Sequence, residues 1–168
     1  MMEEVPGPDV RTEALRFISN GVYVLTACGP EMLHAATVTW VSQVSFQPPL
    51  VLVALRRNSH LVQALRKAHR FALNMLALDQ QTVAEGFFEH RTATVDAGAI
   101  GDSMIRMSVA RCPLLTDAPA WVECKLVAEA PSPGDHALLL GEVKGAGVRR
   151  RDEPMVIFST PWSYGVLL

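Results

Sequence analysis

Residues 36–55, ATVTWVSQVSFQPPLVLVAL, constrain this chain more than any other stretch. Thr37 and Thr39 alternate with Val38 and Trp40, the period of a strand with one polar and one apolar face. Pro48-Pro49 interrupts that pattern, and Leu50–Leu55 resumes it as an apolar, β-rich run. Proline has no amide donor, so the pair fits the start of the second strand and not its interior. Asn58-Ser59 follows at once, and either residue can cap a helix. Strand, tight corner, strand and capped helix are thus joined with almost no connecting chain.

The rest of the chain predicts a single domain over 1–168, with 1–8 as a loose arm. Residues 9–19 have helical spacing at Val10, Ala14, Leu15 and Ile18, and Asn20-Gly21 ends the helix. Residues 22–27 read as a strand closed by Gly29-Pro30, and 35–45 as the next strand. A helix over 59–68 places Leu61, Val62, Leu65 and Ala68 on one face. A strand over 70–76 follows, then a helix capped by Asp79 running through Phe88, with Val83, Phe87 and Phe88 inward. Residues 89–110 show no clean period and read as a long excursion holding a short helix. Strands are expected over 121–129, 136–143 and 155–158, with Pro131–Gly134 as a hairpin connection. Six or seven strands with two or three helices predict a mainly β fold, a closed or split β-barrel flanked by short helices.

Several function classes have no machinery here. Net charge is −2, so no global field recruits nucleic acid. Arg149-Arg150-Arg151 is the one basic run and reads as a solvated turn. Hydrophobic residues make up 49% of the chain, yet no apolar run reaches the ~18 residues that span a bilayer. The first residues, MMEEVPGPDV, lack the pattern of a signal peptide, and a cytoplasmic location is expected. Cys28, Cys112 and Cys124 stand at scattered spacing and read as buried reduced thiols. The histidines His34, His60, His69, His90 and His136 show no metal-ligand spacing, so no metal is expected. GxSxG and GxGxxG are both absent.

What remains is a binding geometry. A strand with alternating hydroxyls offers donors to a planar polar ring, and a helix start offers amides to an anion. Arg56 and Arg57 precede that start. A planar ring plus a phosphate outlines a flavin nucleotide. Each part also has an ordinary reading: sheet-surface threonines, a core tryptophan, a capped helix. His136 heads a strand after Gly134-Asp135, where it serves either structure or chemistry. Trp162-Ser163-Tyr164-Gly165 either packs on the body or closes over a flat ligand.

Four segments together resemble the flavin reductase-like family of FMN-binding split barrels. They are ATVTWVSQVSFQPPLVLVAL, RRNSHLVQALRKAHRFALNML, LLTDAPAWVECKLV with GDHALLLGEV, and the terminal WSYG. Val166 stands where a subgroup of that family has a second glycine. The resemblance implies a homodimer holding FMN, or less often FAD, with NADH or NADPH as co-substrate and an oxygenase as partner. It sets Thr37, Val38, Thr39 and Trp40 along the ring, Ser42 by the ribityl chain, and Ala54, Asn58, Ser59 and His60 around the phosphate. His136 would lie on the open ring face where nicotinamide stacks, bordered by Phe88. Many relatives have Ser-Ser at Thr39-Trp40, and a frequent Arg or Lys where this chain has His60, for which Arg56 or Arg57 would compensate. The implied activity is NAD(P)H:flavin oxidoreduction. The alternatives are a flavoredoxin-like electron carrier, and a binding module that has lost flavin.

Overall fold

The computed structural model describes residues 10–162. The expected arm at 1–8 and the Ser163–Gly165 part of the aromatic tail lie outside those residues. The chain forms α1 (Val10–Leu15), β1 (Tyr23–Cys28), β2 (Met32–Val38), β3 (Val41–Phe46), β4 (Pro49–Arg56) and α2 (His60–Ala68). β5 (Arg70–Met75), α3 (Gln81–Glu85), β6 (Arg91–Thr94), β7 (Ala99–Ile100) and β8 (Ser103–Met107) follow. β9 (Pro113–Leu115), β10 (Ala120–Ala130) and β11 (His136–Val148) complete the strands. The fold is mainly β with few helices. Among the described residues no helix is long and apolar enough to cross a membrane.

Eight strands form one sheet in the order β3-β4-β11-β10-β5-β1-β2-β6, and β7-β8-β9 form a second. The order carries a geometric demand. β2 and β3 are joined only by Thr39-Trp40, yet six strand intervals separate them in the sheet. A flat sheet would put them roughly 29 Å apart at about 4.8 Å per interval. Val38 to Val41 is three steps of about 3.8 Å, a reach of roughly 11 Å. The sheet must therefore roll until the end of β2 meets the start of β3. The amide of Ala54 on β4 donates to the Trp40 carbonyl at 3.0 Å and ties the corner.

Helix α2 buries Leu61, Val62 and Leu65 against Leu25, Val53, Phe71, Leu73 and Leu139 of the large sheet. A second cluster of Val22, Val24, Leu33, Leu76, Phe87, Ile100, Leu115 and Met155 joins the two sheets. Asn74 crosses between them: its side-chain amide donates to Val24 O at 3.1 Å, and its oxygen accepts from Leu115 N at 2.9 Å. Gly141 permits the closest approach in the core, because a Cβ there would lie 2.5 Å from Phe71 Cζ.

Several expectations are corrected. Residues 35–45 are not one strand but the end of β2 and the start of β3, divided by the corner that rolling imposes. Asp79 does not cap a helix to Phe88. The helix there is only Gln81–Glu85, and the Gln80 side chain accepts from Ala77 N and donates to Asp117 O. Phe87 is buried, whereas Phe88 is 51% exposed. The excursion at 89–110 holds strands and no helix: β6 pairs with β2, and β8 pairs with β7 and β9. Residues 155–158 form no strand: isolated bridges join Pro154 to Ala77 and Val156 to Gly21, and a 3₁₀ turn follows at Ile157–Ser159. Helix α1 stops at Leu15. Arg149 to Arg151 are exposed after the end of β11, as expected, but Arg149 also braces a neighbouring loop: its Nη1 donates to Leu115 O at 2.7 Å and Ala118 O at 3.2 Å.

Candidate functional site

The Thr39-Trp40 corner is where the rolled sheet exposes chemistry. Val38 and Val41 on either side pack with the core, so the corner residues themselves are fixed in place. Thr39 is 6% exposed, and its hydroxyl has no hydrogen-bond partner. The Trp40 indole lies against the His136 imidazole, with ring centroids 4.6 Å apart and planes at 39°. His136 opens β11, opposite Arg56 at the end of β4. Its Nδ1 lies 2.6 Å from Asp135 Oδ1, while its Nε2 is buried and has no partner.

These orphaned atoms matter because a buried polar group without a partner costs about 1–3 kcal/mol. Among the described residues there are three such side-chain atoms: Thr39 Oγ1, His136 Nε2 and Glu123 Oε1. Two of the three thus belong to this corner and the ring beside it. Asp135 is held below the usual carboxylate range by its hydrogen bond to His136 and then by that ring's charge. An ionised Asp135 keeps the proton on Nδ1 and leaves Nε2 as an acceptor, or as a donor when the ring is cationic.

The connection from β4 to α2 supplies the second element. Ser59 is the helix N-cap with extended backbone, and its hydroxyl accepts from Val62 N at 3.3 Å. The first-turn amides of α2 that the cap leaves unpaired form an anion-receptive end, and no acidic residue stands in that turn. Asn58 is exposed beside it, and His60 is the first helical residue. Arg57 does something different from what its sequence position suggested. Its Nη2 donates to three carbonyls of the turn before β11: Ser132 at 3.1 Å, Gly134 at 3.0 Å and His136 at 3.2 Å. Arg57 N also donates to Asp135 O at 2.9 Å. Arg57 is therefore committed to holding the Asp135–His136 segment. Arg56 remains exposed.

The other expected residues are distributed as follows. Thr37 spends both donors on the end of α3, its amide to Phe87 O at 2.8 Å and its hydroxyl to Ala84 O at 2.7 Å. The side chain of Val38 belongs to the core. Ala54 is half-buried behind Trp40 and opposite Leu138. Ser42 lies on β3 in the lining of a groove of about 300 Å³, shared with Tyr23, Val41, Leu73 and Val143. That lining includes neither Trp40 nor His136. Phe88 meets the Trp162 ring edge-on at 4.8 Å, and Trp162 Nε1 donates to Glu85 Oε1. Sequence reasoning missed Asp135 as a partner of His136 and Arg57 as a clamp. It also missed that His34, His60 and His90 converge beside the start of α2. Only the adjacency of Asp135 to His136 was a signal available in the sequence.

The sequence profile described as "Flavin reductase like domain" matches residues 15–161. An NADPH-flavin oxidoreductase of Streptomyces viridifaciens is 35% identical over 147 residues, covering 86% of this chain and 74% of that protein. A probable flavin reductase of Rhizobium meliloti strain 1021 is 33% identical over 149 residues, 85% of this chain. This chain spans 44% of its length. The NADH:FAD oxidoreductase SgcE6 of Streptomyces globisporus C-1027 superposes with a TM-score of 0.75 at 27% identity, covering 93% of each chain. Reductase components of two-component enzymes are also similar, among them one of a 4-nitrophenol monooxygenase from Rhodococcus opacus.

Proposed function

Because this chain belongs to the flavin reductase-like family, we propose that it is an NAD(P)H-dependent flavin reductase that supplies FMN or FAD in reduced form to a partner oxygenase. The observation that carries this reading is the pair of orphaned buried polar atoms, Thr39 Oγ1 and His136 Nε2, one strand end away from a capped helix start. A planar ring with a polar edge and a phosphate tail fits both parts at once. The flavin supplies the hydride acceptor, and the protein supplies orientation and electrostatics.

Each residue then has a task. The Thr39 hydroxyl and the backbone of Val38 to Trp40 bind the polar edge of the ring. Thr37, its donors already committed, braces the corner from behind. Asn58, Ser59 and the first amides of α2 hold the phosphate, with His60 beside them. His136, oriented by Asp135, positions the nicotinamide or holds a proton at Nε2. Phe88 and Trp162 border the ring face, and Ala54 and Ser42 line the approach. The rolled sheet is a split barrel, open between β3 and β6. The exposed Phe46 and Val44 of β3 support a homodimer that covers that edge.

One observation favours a second reading. Trp40 lies on His136 at 4.6 Å, in the place a stacked nicotinamide would need. A tryptophan fixed there would leave a flavoredoxin-like carrier without direct NAD(P)H reactivity. Addition of FMN followed by anaerobic NADH and then NADPH separates the two. Rapid loss of the absorbance near ~450 nm with either nucleotide, and turnover on excess flavin, is the expected result. Bound flavin that neither nucleotide bleaches selects the carrier. A protein that binds no flavin refutes both.

A further inference from the structure

Three histidines that are far apart in sequence form a column at the start of α2. His34 lies on β2, His60 opens α2, and His90 precedes β6. The His34 and His90 rings are stacked at 5.2 Å and 14°, with His34 Nδ1 3.0 Å from His90 Nε2. The His60 ring stacks on His90 at 5.9 Å and 24°. Among the described residues no group of three or more His, Cys, Asp or Glu side chains is arranged to hold a metal.

The 3.0 Å contact fixes how many protons it can take. One proton must lie between the two facing nitrogens, and the neutral pair satisfies this with one tautomer. A further proton on the outer nitrogen of the donor ring turns the contact into a charge-assisted bond, which is stronger. A second added proton would put hydrogens on both facing nitrogens and set two cations against each other. The pair is thus a reservoir for one proton. Its surroundings bias it against the added proton. Burial lowers the pKa of His34, as do His60 and Lys67. Burial also lowers that of His90, as do His34 and His60. All these neighbours are cationic when charged. On the chain, Glu89 precedes His90, and Arg91 follows it with its Nε turned to Gly86 O at 3.1 Å.

We propose that the His34–His90 pair takes up a proton when a nucleotide phosphate binds at the Ser59–His60 turn, so that the imidazole column completes the phosphate site. This rests on the assignment of that turn to the flavin phosphate. On this reading the column supplies its charge only when the anion is present. Phosphate affinity then falls as pH rises through the neutral range, by up to about tenfold per pH unit for a whole proton.

The test is calorimetric titration of the full chain with FMN at about pH 7.5, where a phosphate monoester is already dianionic. Buffers of low and high ionisation heat give the proton count. Net uptake by the wild type is expected, with loss of that uptake and weaker FMN binding in both His90→Gln and His34→Gln. FMN binding without uptake, or uptake unchanged in folded His90→Gln and His34→Gln, overturns the proposal and leaves the flavin reading standing. Absence of FMN binding overturns both.

Discussion

Replacing Arg57 by alanine tests whether the turn before β11 is held from β4. One Nη2 carries two hydrogens but meets three carbonyls at 3.0–3.2 Å, so at most two bonds are straight and one is shared. Hydrogen bonds to charged groups contribute about 1.5–3 kcal/mol each when buried. The contact to Gly134 is exposed, and the other two are only partly buried, so water replaces much of what is lost. A net cost of about 1–2 kcal/mol follows, or roughly 3–6 °C in Tm for a domain of this size. The freed turn carries Asp135 and His136. If all of that energy served to place the His136 ring, kcat/KM for NAD(P)H falls by about tenfold. Arg57→Lys restores part of it, because a lysine ammonium lacks the planar fork. Thermal melts, steady-state kinetics and titrations with FMN and riboflavin measure all of this. An unchanged Tm together with unchanged kcat/KM refutes the clamp. A loss of FMN affinity that exceeds the loss for riboflavin refutes it differently, by making Arg57 a phosphate ligand.

Other substitutions and reagents probe separate parts of the molecule. Ser59→Asp keeps a good N-cap for Val62 N but sets like charge beside the phosphate. FMN affinity should drop by about tenfold or more while riboflavin affinity and Tm hold, and equal losses for both ligands would remove the phosphate from this turn. Gly141→Ala places a Cβ 2.5 Å from Phe71 Cζ and 2.8 Å from Cys124 Cβ, against a ring that is fully buried. A destabilisation of about 1–3 kcal/mol in urea is expected, and a neutral outcome would contradict the packing. Burial pushes the Cys112 and Cys124 thiols up to about 12, so near pH ~8 almost none of either is the reactive thiolate. Iodoacetamide should label only Cys28 in the native protein and all three after unfolding. Native labelling at Cys112 or Cys124 would show that the core opens locally.

The elements that could be read from sequence are those whose signals are local. Helix α2 begins where Ser59 caps it and ends at Ala68, because its cap and its apolar stripe lie within ten residues. β5, β10 and β11 announce themselves by β-rich composition, and the contact of Trp40 with His136 matches what the resemblance implied. The break at Thr39-Trp40 was hidden because the alternation of residues 36–45 runs through it. Only the placing of five strands between β2 and β3 bends the chain there. β6 to β8 were illegible for a different reason. Most of their side chains are exposed, so no buried face imposes a period. Arg57 owes its role to a turn 75 residues away, and the histidine column joins three elements with no shared spacing. Neither leaves a trace that a window along the sequence can detect.

The two-residue crossing from β2 to β3 also sets an order of events during synthesis. Residues 23–38 and 41–56 form two hairpins that pair locally, and such contacts form early. Their inner edges, on β1 and β4, wait for β5, β10 and β11, the last two of which span residues 120–148. A nascent chain that has delivered only its first half, through β5, therefore still has the edges of β4 and β5 open, the kind that recruit other chains. Only when β11 inserts beside β4 does the corner between the hairpins acquire its final shape. On the proposed function, flavin meets its site only once β11 is in place, and a ligand present during translation would favour finished chains over truncated ones.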